Sequence, residues 1–454
     1  MTASVPVPRI MAVPVKIRDR APVIPPRKGV VVVGLSFKKK VLLLLLISWL
    51  LSQTGCWDHI EAEQLGIIGI IGLDQAPEGK LRVTLQIINP KALAGGGQTG
   101  GGGGASISTR PYRNISAEGN TIMECIRLLS LHAPSRLFFA HNQTILISEE
   151  LARNRDIETI VDFFDRNQQF RRNNYVLVSR SDISSVIGVP GETQVPATQR
   201  IPSILRQQFL SSFYPRVRLG DFLENLECDG KDVYAMGIQV EPNEAEVREK
   251  LAGGSDSNAE DPRTQTIGEL VKISGTAVFR GNRMAGWLNE RESRGLLWVN
   301  GEVKGGVINV PCSLEQKPGQ NITVAMEILR NKSKIEPGFI DGKLNIIVKI
   351  DTVVTIQEVL CMEELGQPEI IESLEEALVS AIQTEVEAAL AKAQHEYQSD
   401  VFGFGLAVYR KYPDIWKELK PDWAEIYRNL PVYLEIDARI SRTGLISKPV
   451  EVNH

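Results

Sequence analysis

Five cysteines, five histidines and one dense run of charge are the residues of this chain whose chemistry can be asked about first. The cysteines are Cys56, Cys125, Cys228, Cys312 and Cys361, and no two form a CxxC pair, so neither a zinc ribbon nor a thioredoxin-type site is indicated. Cys56 stands apart. Ser52-Gln53-Thr54-Gly55 precede it, and before them runs Val41–Leu51, apolar and preceded by Lys38-Lys39-Lys40. Such a run is too short for the roughly 20 residues that span a bilayer and suits the h-region of a secretory signal. A small residue before a cysteine at that place predicts a lipobox, in which the thiol takes a diacylglycerol and the chain is cut before it. Gln53 stands where a lipobox usually carries Leu. The other four cysteines read as buried free thiols, small hydrophobes in effect.

The histidines His59, His132, His141, His395 and His454 form no HExxH, and no GxSxG is present. His141, next to Phe138-Phe139-Ala140, reads as a hydrogen-bonded structural histidine. Glu290-Arg291-Glu292-Ser293-Arg294 offers paired carboxylates, but charge this dense reads as a salt-bridge network. No nucleophile, base and oxyanion donor come together in the pattern, so no enzyme, catalytic residue, metal site or cofactor is expected. A net charge of -4 without a long basic run argues against nucleic acid as a partner. The apolar fraction of 43% is ample for real cores.

These residues must be positioned by a mixed set of elements. Leu65–Leu73 carries glycine at every third place in a β-branched run, which predicts a buried strand in close contact with another backbone. Leu81, Val83, Leu85 and Ile87 alternate as a half-buried strand does. Residues 95–104, almost all glycine, lack the Lys-Ser/Thr of a P-loop and read as a surface loop. Thr121–Leu131 reads as a helix, Ala140–Ile147 as a strand, and Ser148 as the cap of one helix running through Phe164. Tyr175–Val178 is another strand; residues 203–235 have helical character. In the last third, Val324–Ile328, Leu344–Ile350 and Val432–Ile440 alternate, and between them Leu374, Ala377, Leu378, Ala381, Ile382, Val386, Ala389, Leu390 and Ala393 lie on one face of a long helix. The expected fold is α+β: three domains, each a β-sheet flanked by helices, the last an antiparallel sheet carrying one long helix. The expected divisions are 1–37, disordered or lying ahead of a later start near Val30; 38–55, a lipoprotein signal peptide; 56–190; 191–310; and 311–454.

Several segments in order resemble the Ger(x)C family of spore germination proteins, the C subunits of germinant receptors. They are Gly55-Cys56-Trp57-Asp58 with Leu65-Gly66, Leu137–His141 leading to Glu149–Arg153, and Tyr175–Val178. The most specific are Gly286–Trp298 with Gly301–Gly306, and Asp400–Gly405 with Arg410–Pro413; Arg442–Leu445 also fits. The resemblance implies a lipoprotein acylated at Cys56 with diacylglycerol and palmitate, held on the outer face of the spore inner membrane. It implies as partners the A-type and B-type integral membrane subunits of a nutrient receptor, and no catalytic residues. The alternative is a lipoprotein that itself binds the small-molecule germinant. From the residues themselves, Trp287, Arg291, Glu292, Arg294 and Trp298 are either a packing motif whose charges pair internally or a partner surface; packing is the better reading, because large aromatics bury most of their area.

Overall fold

The computed structural model describes residues 37–52, 64–88, 111–189, 196–243, 269–312, 323–360 and 367–442. Cys56, Cys361, the glycine tract 95–104 and the terminal expectation at 1–37 (but for Phe37) lie outside them. The chain divides into two units, 1–60 and 61–454. In the first, α1 (Phe37–Ser52) covers the lysines and the leucine run. At 1.5 Å per residue it is about 24 Å long, and no described helix is long and apolar enough to cross a membrane.

The second unit is mixed α/β. Its larger sheet has nine strands: β1 (Leu65–Gln75), β2 (Leu81–Ile88), β3 (Tyr112–Gly119), β4 (Arg136–Phe138), β5 (Thr144–Ser148), β6 (Tyr175–Ser179), β7 (Tyr234–Pro242), β8 (Glu269–Arg280) and β9 (Arg283–Leu288). Their order is β3-β2-β1-β5-β6-β7-β8-β9, with β4 also on β1. The middle of the sheet, β1-β5-β6-β7, is parallel and both ends are antiparallel. Every residue of β5 and β6 is buried, which is why these strands read as continuous apolar runs.

Six helices belong to this part: α2 (Ile122–Ser130), α3 (Glu149–Asn154), α4 (Ile157–Arg166), α5 (Ile183–Gly188), α6 (Ala197–Arg206) and α7 (Leu219–Leu226). The glycine repeat of β1 does permit close packing, at Gly69 and Gly72, but against helix side chains and not against the other backbone that was expected. A Cβ on Gly69 would lie 2.3 Å from Thr198 of α6, and one on Gly72 2.3 Å from Ile183 of α5. Three-residue spacing puts both on one face only because the register shifts between Ile68 and Ile70. Ser148 does cap a helix, its Oγ accepting from Leu151 N. That helix stops at Asn154 and α4 starts afresh at Ile157, where one helix was expected.

The smaller sheet is β10 (Val307–Pro311), β11 (Thr323–Ile340), β12 (Lys343–Val359) and β13 (Val432–Arg442), in that order. β11 and β12 turn at Asp341-Gly342, both at positive φ (50° and 75°), as the two-residue hairpin turn requires. The helices here are α8 (Glu290–Asn300), α9 (Pro368–Ala391), α10 (Phe404–Lys411), α11 (Pro413–Leu419) and α12 (Trp423–Arg428). Of the expected face, Leu374, Leu378, Ile382, Val386 and Ala389 of α9 are 0% exposed, Leu390 is buried and Ala377 and Ala381 are half-buried; Ala393, just past the end of α9, is also 0% exposed.

Two expectations need correction. The smaller sheet is not antiparallel throughout, because β13 runs parallel to β12. The chain between them, through α9–α12, runs from the C-terminal end of β12 back to the end where β12 began, as a helical crossover does. The division drawn at 190 falls inside one sheet, since β6 of the first expected domain pairs with β7 of the second. The division at 310 likewise falls within β10.

Candidate functional site at the junction of the two sheets

The segment Gly286–Gly306 begins in the larger sheet, as the end of β9, and leads through α8 to β10 of the smaller one. It opens with a reciprocal cap. Asn289 Oδ1 accepts from Glu292 N at 2.9 Å, and Glu292 Oε2 accepts from Asn289 N at 2.7 Å, so two end-of-helix donors are satisfied. α8 closes at Gly301, whose φ of 70° suits glycine.

α8 lies directly against α9. A Cβ on Gly295 would come within 2.1 Å of Glu385 O, so glycine permits the approach. Beside it, Arg294 Nε donates to Glu385 Oε2 at 2.8 Å, and a second guanidinium nitrogen donates to Oε1. Arg294 also donates to Val307 O at 2.8 Å, and its guanidinium lies 5.1 Å from the centre of the Phe213 ring. Trp298 Nε1 donates to Glu385 Oε2 at 3.0 Å. Both charges are buried, at 6% and 9% side-chain exposure. Ahead of the helix, a Cβ on Gly286 would meet the Tyr397 ring at 2.3 Å. Tyr397 Oη donates to Trp287 O at 2.8 Å, and Lys392 Nζ bonds both Trp287 O and Glu292 Oε2 at 3.1 Å. Arg180 lies over the Trp287 ring at 4.2 Å.

The five residues of the motif thus separate. Arg294 and Trp298 are core, and Glu292 is a cap and ion-pair partner. A surface role for those three is corrected: their polar atoms are already used inside the protein. Trp287 is half-buried and Arg291 is exposed. Arg291 lines a shallow cavity of about 360 Å³ with Arg180, Lys272, Gly275 and Glu290.

A second constellation holds the Asp400–Gly405 segment. Asp400 Oδ1 accepts from Gly403 N and Phe404 N, both at 2.9 Å; Oδ2 accepts from Gly405 N at 2.8 Å and Trp423 Nε1 at 3.1 Å. Asp232 Oδ2 accepts from Asp400 N at 2.8 Å, and its own N donates back to Asp400 O at 2.9 Å. Burial pushes Asp400 up to about 7, against the pull of those N–H donors, and burial also raises Asp232. Gly405 and Gly230, of the loop before β7, abut: a Cβ on Gly405 would lie 2.8 Å from Gly230 Cα, and one on Gly230 2.6 Å from Gly405 C. This arrangement ties the larger sheet to α10; all of its polar atoms are occupied within the protein.

Sequence reasoning did not single out Glu385, Asp232 or Tyr397. A signal existed for Glu385 alone: it is a carboxylate three residues after Ile382 and four before Ala389, inside the apolar stripe of α9. His141 is exposed, its ring edge-on to Phe138 at 5.7 Å. Cys125 is a buried free thiol, pushed up by that burial, and Cys228 is free. Cys312 is disulfide-bonded, which corrects the expectation of a free thiol. Cys56 lies outside the described residues. No three His, Cys, Asp or Glu side chains converge as metal ligands among the described residues.

Residues 58–240 match the family described as the spore germination protein N-terminal domain. Residues 274–444 match the one described as spore germination B3/GerAC like, C-terminal. Among proteins of Bacillus subtilis (strain 168), spore germination protein KC is 27% identical over 420 residues, 91% of this chain and 98% of that protein. Spore germination protein B3 is 24% identical over 88% of this chain and 96% of its own. Spore germination protein A3 is 24% identical over 89% and 96%. The crystal structure of the GerBC protein aligns with 82% of this chain and 96% of its own, at 18% identity and a TM-score of 0.49.

Proposed function

The chain belongs to the spore germination family of GerAC-like proteins, and from that premise we propose that it is the non-catalytic, lipid-anchored subunit of a nutrient germinant receptor. On this reading Cys56 carries the diacylglycerol, the body stands on the outer face of the spore inner membrane, and the partners are the A-type and B-type integral membrane subunits. The observation that carries it is the pair of family matches, in order, which together take in most of the chain from Asp58 onward. A Lys-flanked apolar run ending at Gly55-Cys56 stands just ahead of them. Two or three acyl chains hold a protein firmly where one does so only marginally.

The test compares spores carrying the natural chain with spores carrying Cys56→Ala. The expected result is loss of the protein from the membrane fraction, loss of the A-type and B-type subunits from its pull-down, and slowed germination on nutrients. A Cys56→Ala chain that stays with the membrane and supports normal germination overturns the reading.

One cavity favours a second reading, that the protein itself holds the germinant. It measures about 690 Å³ and its walls include Lys231, Glu302, Lys334, Glu336, Arg410 and Lys411. Charges of both signs on a concavity of that size suit a small zwitterion. Calorimetry of the whole protein with amino acids and sugars decides: saturable binding, lost in Arg410→Ala, supports it, and no heat removes it.

A further inference from the structure

Two residues singled out in the Gly286–Trp298 motif, Trp287 and Arg291, are not absorbed by the junction, and both belong to the surroundings of the shallow cavity at the start of α8. Glycines shape that cavity. The register of β7 against β8 shifts between Met236 and Ile238, and a Cβ on Gly237, between them, would lie 3.0 Å from the Trp287 ring. Glycine thus lets the indole approach β7. Arg180 follows β6, its N donating to Ile238 O at 3.0 Å, and its guanidinium lies over the indole at 4.2 Å. Gly275 has a φ of 74°, and a Cβ on it would come within 2.7 Å of Leu288 O and 3.3 Å of an Arg180 guanidinium nitrogen. The wall beside that guanidinium is therefore kept bare.

Charge decides what the cavity can take. Its lining carries three cations, Arg180, Lys272 and Arg291, and one carboxylate, Glu290. That carboxylate is taken by Lys272 at 2.9 Å, and Lys272 also approaches Glu241 at 3.4 Å. Cations of the adjoining elements are paired in the same way: Arg153 with Glu149, Arg294 with Glu385, Lys392 with Glu292. Arg180 and Arg291 have no carboxylate among the described residues. A guanidinium stacked on an indole engages the ring with its face and keeps its in-plane N–H donors free, in the fork geometry that fits carboxylate and phosphate.

We propose that this cavity binds a small oxyanion, the carboxylate or phosphate group of a ligand, between the guanidiniums of Arg180 and Arg291. Its volume of about 360 Å³ is at the lower end of small-molecule sites. The site shares no lining residue with the cavity of about 690 Å³ that holds Arg410, and it does not depend on how that cavity is used. Arg180 stands on the larger sheet and Arg291 on α8, so a bound oxyanion ties the strut to that sheet.

The experiment is calorimetry of the full chain with inorganic phosphate and with citrate, each replacing chloride at constant ionic strength so that screening is the same throughout. The expected result is saturable binding of at least one of the two, and the one that saturates tells phosphate from carboxylate. Losing one charge-assisted contact weakens binding about tenfold, so Arg180→Gln and Arg291→Gln should each do so. Arg410→Gln leaves the affinity unchanged, and Glu290→Gln, which removes the one carboxylate of the lining, raises it several-fold. No saturable heat with either probe overturns the proposal. So does binding that neither arginine variant weakens, which places the anion elsewhere, and so does binding lost in Glu290→Gln, which gives the site to a cation. Urea unfolding checks each variant. Where Arg180→Gln lowers the midpoint through its lost stack on Trp287, Arg291→Gln decides alone, because that side chain is exposed.

Discussion

Replacing Arg294 by Met tests the account of the junction most directly. The change keeps much of the side chain's length and removes its charge. Glu385 is then left buried with Trp298 Nε1 as its remaining donor, and Val307 O loses a hydrogen bond. Breaking a buried ion pair from one side costs about 3–5 kcal/mol, because the surviving charge is uncompensated. Glu385→Leu should cost about the same by stranding the guanidinium. The double variant removes both charges. What remains is the orphaned Trp298 N–H, about 1–3 kcal/mol, and the bond lost by Val307 O, about 1 kcal/mol. The double variant should therefore be more stable than either single one, a coupling of several kcal/mol where independent sites add. Urea unfolding of the full chain, followed by tryptophan fluorescence, measures this; with m of about 3 kcal/mol/M the single variants shift the midpoint by about 1–2 M. Additive losses, with the double variant the least stable of the three, would refute the claim that the pair is buried and mutually dependent.

Other outcomes follow from the same contacts. Asp400 holds its proton to about pH 7 in the folded protein and to about 4 when unfolded. Between those values the folded state binds more protons, so unfolding free energy should fall by about 1.4 kcal/mol per pH unit as pH rises, then level off; a flat urea midpoint from pH 4 to 7 contradicts this. Gly295→Ala places a Cβ against Glu385 O and should lower the midpoint markedly, whereas Gly188→Ala, which meets nothing within 4 Å, should leave it nearly unchanged or raise it slightly. Cys125 and Cys228 are free and Cys312 is bonded, so peptide mapping of the denatured, unreduced protein should recover Cys125 and Cys228 as thiols and Cys312 in a bridge; a free thiol at Cys312 contradicts this. Arg291→Ala should leave folding and membrane attachment intact and abolish nutrient germination if α8 presents a partner surface; wild-type germination removes that role.

Much of the fold was legible because it rests on local periodicity. Alternation gave the strands of the smaller sheet, the apolar stripe gave α9, and glycines in a β-branched run announced the close packing of β1. Alternation tells which side chains share a face and nothing of strand direction, so the parallel β13 was hidden. The pairing of β6 with β7 was hidden too. The chain between them carries prolines, glycines and the three helices α5–α7, and its ends meet in one sheet. Arg294 and Glu385 are 91 positions apart, and no spacing rule joins residues on different elements. The Cys312 bridge was missed for a related reason: scattered cysteines show a pairing only when strand register is known.

The junction also constrains how the Gly286–Gly306 motif can be interpreted. Its charges look like an exposed binding epitope when read along the chain. In space, each is assigned by what surrounds it: Glu290 to Lys272, Glu292 to the cap and Lys392, Arg294 to Glu385, leaving Arg291 outward. α8 is thus the strut between the two sheets, fixed at one end by Tyr397 and Lys392 and along its length by α9. A germination defect from altering Gly286, Arg294, Gly295 or Trp298 would therefore report loss of the join between sheets. Only a defect at Arg291, in a protein whose urea midpoint is unchanged, can report a partner.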